Sequence, residues 1–231
     1  MHKMKSFTLS LMMIIIGGAL HVNAQKVSRE LSRFDKIKVV GKIDVSLVQG
    51  EKYDVKISSE SWTFDQIITE VKAGVLTVKM RHLENRYEGQ NIKILVTTKT
   101  ISEAKATQGG RIFLDSGING DKIVLECFSG GKIRALVHTK SVEMRINQGG
   151  NITINGTTNM VRAKVSTGGM IDAFDLKCKT AYAKINAGGT IRVSPSEILD
   201  AHVVSGGTVN YKTNPKVTKK ISLGGKVEKV K

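Results

Sequence analysis

A glycine doublet that recurs at nearly constant spacing constrains the fold of this 231-residue chain more than any other sequence feature. Each doublet is followed by one variable residue and then by Ile or Val, and successive doublets lie 18 to 21 residues apart. A period of about 20 residues is typical of solenoid proteins, in which each repeat forms one coil. The seven doublets are Gly109-Gly110, Gly130-Gly131, Gly149-Gly150, Gly168-Gly169, Gly188-Gly189, Gly206-Gly207 and Gly224-Gly225.

Between the doublets, apolar and polar residues alternate with a period of two, which is typical of β-strands. The position three residues before each doublet is apolar in every coil and should point inward. Coils that repeat the same inward rows predict an all-β fold, a right-handed parallel β-helix with coils of about 19 residues. That inward row comprises Cys127, Ile146, Val165, Ile185, Val203 and Ile221.

The doublets are expected at the corners of the coils, where a positive φ and a close backbone approach are easiest for glycine. A phosphate-binding loop is the alternative interpretation of a glycine-rich motif. Seven equivalent nucleotide sites in one chain of this size are implausible. The doublets are therefore interpreted as structural corners.

The region before the first doublet also alternates between apolar and polar residues, as in residues 34–39, 43–48 and 92–96. This pattern predicts further β-strands, which we expect to cap the solenoid. The chain then divides into a signal peptide (1–24), an N-terminal β region (25–107) and a Gly-Gly-repeat solenoid (108–231). Residues 62–71 fit either a short helix or a strand, and residues 81–90 are expected to form a polar loop.

The first 24 residues have the pattern of a secretory signal peptide. Lys3 and Lys5 precede an apolar stretch at residues 9–20, and Val22 and Ala24 occupy the positions that a signal peptidase reads. The apolar stretch is shorter than the roughly 20 residues needed to cross a bilayer. We therefore predict export to the periplasm, the outer surface or the medium.

The chain resembles a secreted Bacteroidetes family known as putative auto-transporter adhesin, head GIN domain. The resemblance rests on the pattern Phe34-x-x-Ile37-x-Val39-x-Gly41-x-Ile43-x-Val45, on Gln49-Gly50, on Gly74-x-Leu76-x-Val78 and on the Gly-Gly-x-Ile coils. It implies a right-handed β-helix, an envelope or surface location and an adhesin role. It supplies no catalytic residues.

Some parallel β-helices are polysaccharide lyases or hydrolases, which need carboxylates that converge from adjacent coils. In the outward row directly after each Ile or Val, Asp172 lies between Thr153 and Arg192, so no second acid stacks on it. Asp115 and Asp175 are expected in turns of coils that are three apart. The pattern predicts a non-enzymatic protein without catalytic residues, and an enzyme of this class is the alternative.

The two cysteines and the histidines carry no recognisable motif. Cys127 and Cys178 have no neighbours with metal-ligand spacing, and His138 and His202 lie in no nucleophile motif. No metal or cofactor is predicted. Cys127 lies in an inward row, and both cysteines are expected to be unpaired.

An outward basic row lies four residues before each doublet. It comprises Arg145, Lys164, Lys184, His202 and Lys220, which follow Glu126 in the first coil. If the coils stack in register, these cations share one face and lie about 5 or 10 Å apart. This predicts a face that binds an anionic polymer such as an acidic polysaccharide or lipopolysaccharide. The alternative is a solvated face whose lysines keep the sheet soluble.

The charge balance agrees with an acidic partner, because 36 Lys and Arg against 20 Asp and Glu give a net charge of +16. Export and an aromatic content of 5% make nucleic-acid recognition by base stacking unexpected. Lysines also crowd the last coil, from Lys212 to Lys231, where they are interpreted as protection against end-to-end stacking. The predicted function is that of a surface adhesin, with a purely structural envelope protein as a further alternative.

Overall fold

The computed structural model describes residues 25–59, 64–81 and 92–230. The predicted signal peptide, and the predicted polar loop beyond Arg81, lie outside the described residues. The chain is nearly all β-structure, with stacked parallel coils of about 19 residues that form a solenoid of about seven turns. The predicted all-β solenoid is confirmed.

Eight strands and one short 3-10 helix are described before the first glycine doublet. The segment 62–71 is neither all helix nor all strand, because the helix Phe64–Gln66 is followed directly by β5, while residues 62 and 63 lie outside the described part. The strands are β1 (Gln25–Glu30), β2 (Lys36–Val40), β3 (Asp44–Gln49), β4 (Asp54–Ser59), β5 (Ile67–Lys72), β6 (Val75–Met80), β7 (Lys93–Thr98) and β8 (Glu103–Thr107).

The strands that follow the first doublet build the repeating part of the solenoid. The four longest span 15 to 18 residues each. These strands are β9 (Arg111–Phe128), β10 (Lys132–Ile146), β11 (Asn151–Thr157), β12 (Met160–Thr167), β13 (Met170–Ala187), β14 (Thr190–Ser205), β15 (Thr208–Tyr211), β16 (Lys216–Leu223) and β17 (Lys226–Lys229).

Equivalent residues of successive coils pair in parallel register, as the repeat predicts. Ile146 pairs with Cys127 on one side and with Val165 on the other, and the same row continues through Ile185 to Val203. All five side chains are fully buried. Apolar burial of these rows is the main stabilising contribution to the stack, since each coil covers the row of the coil before it.

The glycine doublets lie where the chain turns from one strand to the next. Gly130 has a φ of +77°, a conformation that favours glycine. The N–H of Lys132 donates to the carbonyl of Gly110 (2.9 Å), and the N–H of Asn151 donates to the carbonyl of Gly131 (3.0 Å). Backbone hydrogen bonds between successive coils therefore continue through the corners as well as along the strands.

The N-terminal strands are interleaved with later parts of the chain. β2 pairs in parallel with both β6 and β8, and β3 pairs in parallel with both β7 and β9. The coil formed by β2 and β3 therefore lies between two others. One is formed by β6 and β7, and the other begins with β8 and continues into β9. Parallel stacking accordingly extends upstream of the first glycine doublet.

Antiparallel strands cover the first end of the stack. β5 pairs with β6, β4 pairs with β7, and β1 pairs with β4. The Arg29 guanidinium links β1 to the β5 side, because it donates to the carbonyl oxygens of Ile67 (2.6 Å) and Phe64 (2.6 Å) and to Thr69 Oγ1 (2.9 Å). The predicted cap is formed by these strands.

The opposite end is open. In the described part of the chain, β16 pairs only with β14 and β17 pairs only with β15. The inward position Ile221 is 41% exposed, and Leu223 is 69% exposed. Among the described residues no further coil covers Ile221, whose equivalents Ile185 and Val203 are buried.

Candidate functional site

The predicted basic row lies on one outward face of the solenoid. Arg145, Lys164, Lys184, His202 and Lys220 occupy equivalent positions of five consecutive coils and pair directly with one another. Four intervals of about 4.8 Å give this row a length of about 19 Å. All but the half-buried His202 are exposed. The stacking in register that the basic row requires is therefore present.

The cations of the row differ in whether a neighbouring carboxylate already pairs with them. Arg145 donates through Nε to Glu143 Oε1 (2.9 Å), and Lys122 lies 3.1 Å from the other Glu143 oxygen. Within residues 25–59, 64–81 and 92–230, neither Lys164 nor Lys184 makes an ion pair. In the same ranges Lys220 makes none either, so these three lysines are the most available positive charges of the row.

The basic row is longer than the sequence indicates. Glu126 pairs with Lys105, and Lys105 pairs with Lys38, so two further lysines extend the row across the N-terminal coils. Lys105 Nζ lies 3.3 Å from Glu126, which also accepts a hydrogen bond from Asn147 (2.8 Å). Glu126 thus interrupts the line of positive charges. The longer uninterrupted run of basic residues begins at Arg145.

A shallow depression of about 290 Å³ lies beside Lys164 and Lys184. Its other side carries Arg162 and Tyr182, with the Arg162 guanidinium 5.6 Å from the centre of the Tyr182 ring, and this row continues to an acid at each end, Glu143 and Asp200. Tyr182 is 41% exposed, so part of its ring is open to a ligand. We call this place the Tyr182 depression. The sequence contains the signal for it, since Arg162 and Tyr182 both lie six residues before a doublet.

A second depression, of about 360 Å³, has three carboxylates in its lining. Asp172 and Asp175 lie on the same strand, β13, and Asp115 lies on β9. Arg134 donates through Nε to Asp115 (2.9 Å), and Arg192 lies 3.2 Å from Asp172. Asp172 pairs with Thr153 and Arg192, so no second acid stacks on it, and Asp175 pairs with Asn155.

Asp115, one of these three acids, does not suit general acid catalysis. The hydrogen bond from Arg134 lowers the pKa of Asp115, while partial burial opposes this less strongly. A general acid needs a raised pKa to hold its proton near neutral pH. Asp115 is therefore a salt-bridged carboxylate, and the Arg134 guanidinium also lies 4.9 Å from the centre of the Phe113 ring.

Cys127 and Cys178 are both buried free thiols. Burial raises the pKa of each thiol to about 12, so neither is a nucleophile at neutral pH. Among the described residues, no group of three or more His, Cys, Asp or Glu side chains is placed to hold a metal ion. The same part of the chain has no helix with the length and apolar character that crossing a bilayer requires.

Several solved structures share this fold. A putative adhesin from Bacteroides fragilis aligns with a TM-score of 0.80 at 19% identity, covering 89% of this chain and 97% of that one. A putative lipid binding protein from Parabacteroides distasonis aligns with a TM-score of 0.71 at 24% identity, covering 90% and 97%. A putative adhesin from Parabacteroides merdae aligns with a TM-score of 0.65 at 21% identity, covering 90% and 96%.

Among curated proteins, no significant match was found. A comparison with protein families matches residues 33–215, which include most of the glycine doublets and the basic row as far as His202. The match begins close to β2 and so includes the interleaved coils as well as the repeats. The chain belongs to the family described as putative auto-transporter adhesin, head GIN domain.

Proposed function

We propose that this protein is an exported, non-enzymatic cell-envelope or surface adhesin that binds an anionic glycan along its basic row. The observation that carries the proposal is the parallel register of Arg145, Lys164, Lys184, His202 and Lys220. The residues 1–24, with the pattern of a signal peptide, support export. The family supports an adhesin role without naming a ligand.

A polymer fits this face better than a small anion. The cations form a line of about 19 Å rather than converging on one point. A polymer with repeated negative charges can contact several of these cations at once. Its affinity rises because, once one charge is bound, the linked charges are held at a high effective concentration near the other cations. Lys164, Lys184 and Lys220 contribute most, because none of them has to break an ion pair to another described residue.

The Tyr182 depression supports a carbohydrate among the possible polyanions. Aromatic rings offer a flat apolar face to sugar rings, and Arg162 stacks near the Tyr182 ring while keeping its charge. A uronic acid polymer would place carboxylates on the lysines and a sugar ring on Tyr182. A polymer without rings would use the lysines alone.

The test measures binding of the purified chain, without residues 1–24, to immobilised polygalacturonate at several salt concentrations. We expect retention that falls with increasing salt. The variant Lys164→Glu/Lys184→Glu should bind about tenfold more weakly or worse, because two attractions become repulsions. The matched control is Lys177→Glu/Lys179→Glu, which makes the same charge change at two exposed lysines outside the row.

The outcomes separate the alternatives. Tyr182→Ala should weaken binding to polygalacturonate and leave binding to inorganic polyphosphate unchanged. Equal losses in the row variant and the control would contradict a role for the basic row. Depolymerisation of the polysaccharide would show an enzyme, and a lack of retention would favour a purely structural envelope protein.

A further inference from the structure

A groove of about 580 Å³ lies on the other outward face, where β1, β4, β7, β3 and β9 lie side by side. Its floor includes Leu95 and Phe113, and Leu95 is 37% exposed. We call it the Ser46 groove, after one of its lining residues. It is distinct from the Tyr182 depression, with which it shares no residue.

Small side chains between large ones create the groove. Ser46 pairs with Leu95 on one side and Phe113 on the other, so a serine lies between two large apolar side chains. In the neighbouring row, Ser58 lies in the same way between Lys26 and Lys93. Two serines at these positions leave room that larger side chains would fill.

The groove has lysines at one end and mostly apolar side chains toward the other, where the lining residue Asp44 is paired with Arg111. Lys26, Lys56 and Lys93 lie at the end formed by β1, β4 and β7. None of the three makes an ion pair within the described ranges 25–59, 64–81 and 92–230. From Lys56, the outward row continues through Leu95 and Ser46 to Phe113, three strand intervals or about 14 Å away.

This polarity matches one class of ligand. An anionic head group placed between the three lysines would gain charge complementarity, and the apolar row would then remove a hydrocarbon chain from water. A free inorganic anion would leave the apolar row unused. A neutral hydrocarbon would leave the three lysines unused. The volume lies within the range of small-molecule sites.

We propose that the Ser46 groove binds a single-chain anionic amphiphile, such as a fatty acid, with its head group at Lys26, Lys56 and Lys93 and its chain directed toward Phe113. This is a second binding site, independent of the proposed polymer-binding face. Its ligand is a monomeric amphiphile rather than the surface of a membrane.

The experiment titrates the purified chain without residues 1–24 with dodecanoate, below its self-association concentration, by isothermal titration calorimetry and by NMR. We expect saturable binding of one dodecanoate. Dodecylammonium, which has the same chain with the opposite charge, and butyrate, which has the same head group with a short chain, should each bind at least about tenfold more weakly.

Two pairs of variants locate the site. Ser46→Phe should fill the groove and weaken dodecanoate binding at least about tenfold, whereas Thr153→Phe, in the same outward row, should leave it unchanged. Lys56→Glu/Lys93→Glu should weaken binding, whereas Lys177→Glu/Lys179→Glu should not. Circular dichroism melting curves verify that each variant is folded.

Several results would overturn the proposal. One is the absence of saturable dodecanoate binding to the folded wild-type chain. Another is equal affinity for dodecylammonium, which would show that the lysines do not select the head group. A third is unchanged binding in folded Ser46→Phe. Sedimentation with phosphatidylglycerol vesicles, without binding of monomeric dodecanoate, would indicate a membrane-contact surface instead.

Discussion

A Cβ atom on Gly131 would lie 2.2 Å from the carbonyl oxygen of Ala106 in the preceding coil. At Gly130, a Cβ atom would meet nothing within 4 Å, although its φ of +77° favours glycine. The two glycines of one doublet are therefore required for different reasons. The first permits an unusual backbone conformation, and the second permits contact between coils.

Substitution at the two positions should separate these requirements. Gly130→Ala should lower the free energy of unfolding by about 1–2 kcal/mol, because only backbone strain is added. Gly131→Ala should lower it by more than about 3 kcal/mol, because the Cβ atom overlaps backbone that cannot move alone. Urea unfolding followed by circular dichroism measures both. Equal losses of unfolding free energy in the two variants would mean that a small backbone shift removes the overlap with Ala106.

Removal of Glu143 should strengthen binding to an anionic polymer. Glu143 holds both Arg145 and Lys122. Partial burial is the largest single effect on its pKa and raises it, but the hydrogen bonds and charges of these two residues together lower the pKa below its usual value. Glu143→Gln removes the negative charge and releases both cations. Affinity for polygalacturonate should rise about threefold or more. Glu197→Gln, at an exposed position outside the row, is the control, and an equal rise there would indicate a net-charge effect.

The open end of the solenoid should be protected by Lys219. This lysine lies in an inward row where the earlier coils have Leu125, Met144 and then alanine. A charge at this position opposes the stacking of another strand. Lys219→Leu should therefore cause concentration-dependent self-association in sedimentation velocity. Lys216→Leu, at an outward position of the same strand, should not, and monomeric Lys219→Leu at all concentrations would contradict this role.

The buried thiols predict a loss of stability at alkaline pH. The pKa of Cys127 and of Cys178 is 9.0 in the reference state and about 12 in the folded chain, because burial disfavours the thiolate. Above pH 9 the unfolded chain loses these protons while the folded chain keeps them. The free energy of unfolding therefore falls as the pH rises from 9 toward 12, by about 1.4 kcal/mol per thiol and pH unit.

This pH dependence can be isolated by comparison with Cys127→Ala/Cys178→Ala. Between about pH 8 and pH 10, under reducing conditions, wild-type protein should lose about 3 kcal/mol more stability than the double variant. Urea titrations at the two pH values give both differences. Parallel losses in the two proteins would show that the thiols ionise while the chain is folded.

The inward rows of the solenoid could be predicted from the sequence because each coil repeats one local pattern. Cys127, Ile146 and Val165 are recognised as one row simply by counting back from the doublets. The basic row follows from the same count. The period of two within each strand and the spacing between doublets are sufficient to predict which residues belong to these rows.

The N-terminal part could not be predicted in this way, because alternation marks strands without telling which strands pair. Lys38 and Lys105 join the basic row only because β2 lies beside β8. The Ser46 groove likewise needs Ser46, Leu95 and Phe113, which come from strands that are distant along the chain. Pairing of this kind depends on the whole cap, and no short motif encodes it.

The interleaved coil of β2 and β3 also sets the order in which the molecule can assemble. Its two neighbours in the stack, β6–β7 and β8–β9, are both synthesised after it, so it cannot be held on both sides until the chain has reached β9. Beyond that point each new turn needs only the surface left by the previous one. We therefore expect the N-terminal coils to be completed only once β9 is available, whereas the later turns can be added one at a time. Loss of the final turns should therefore only shorten the stack. Loss of the first strands should remove the surface on which every later turn pairs.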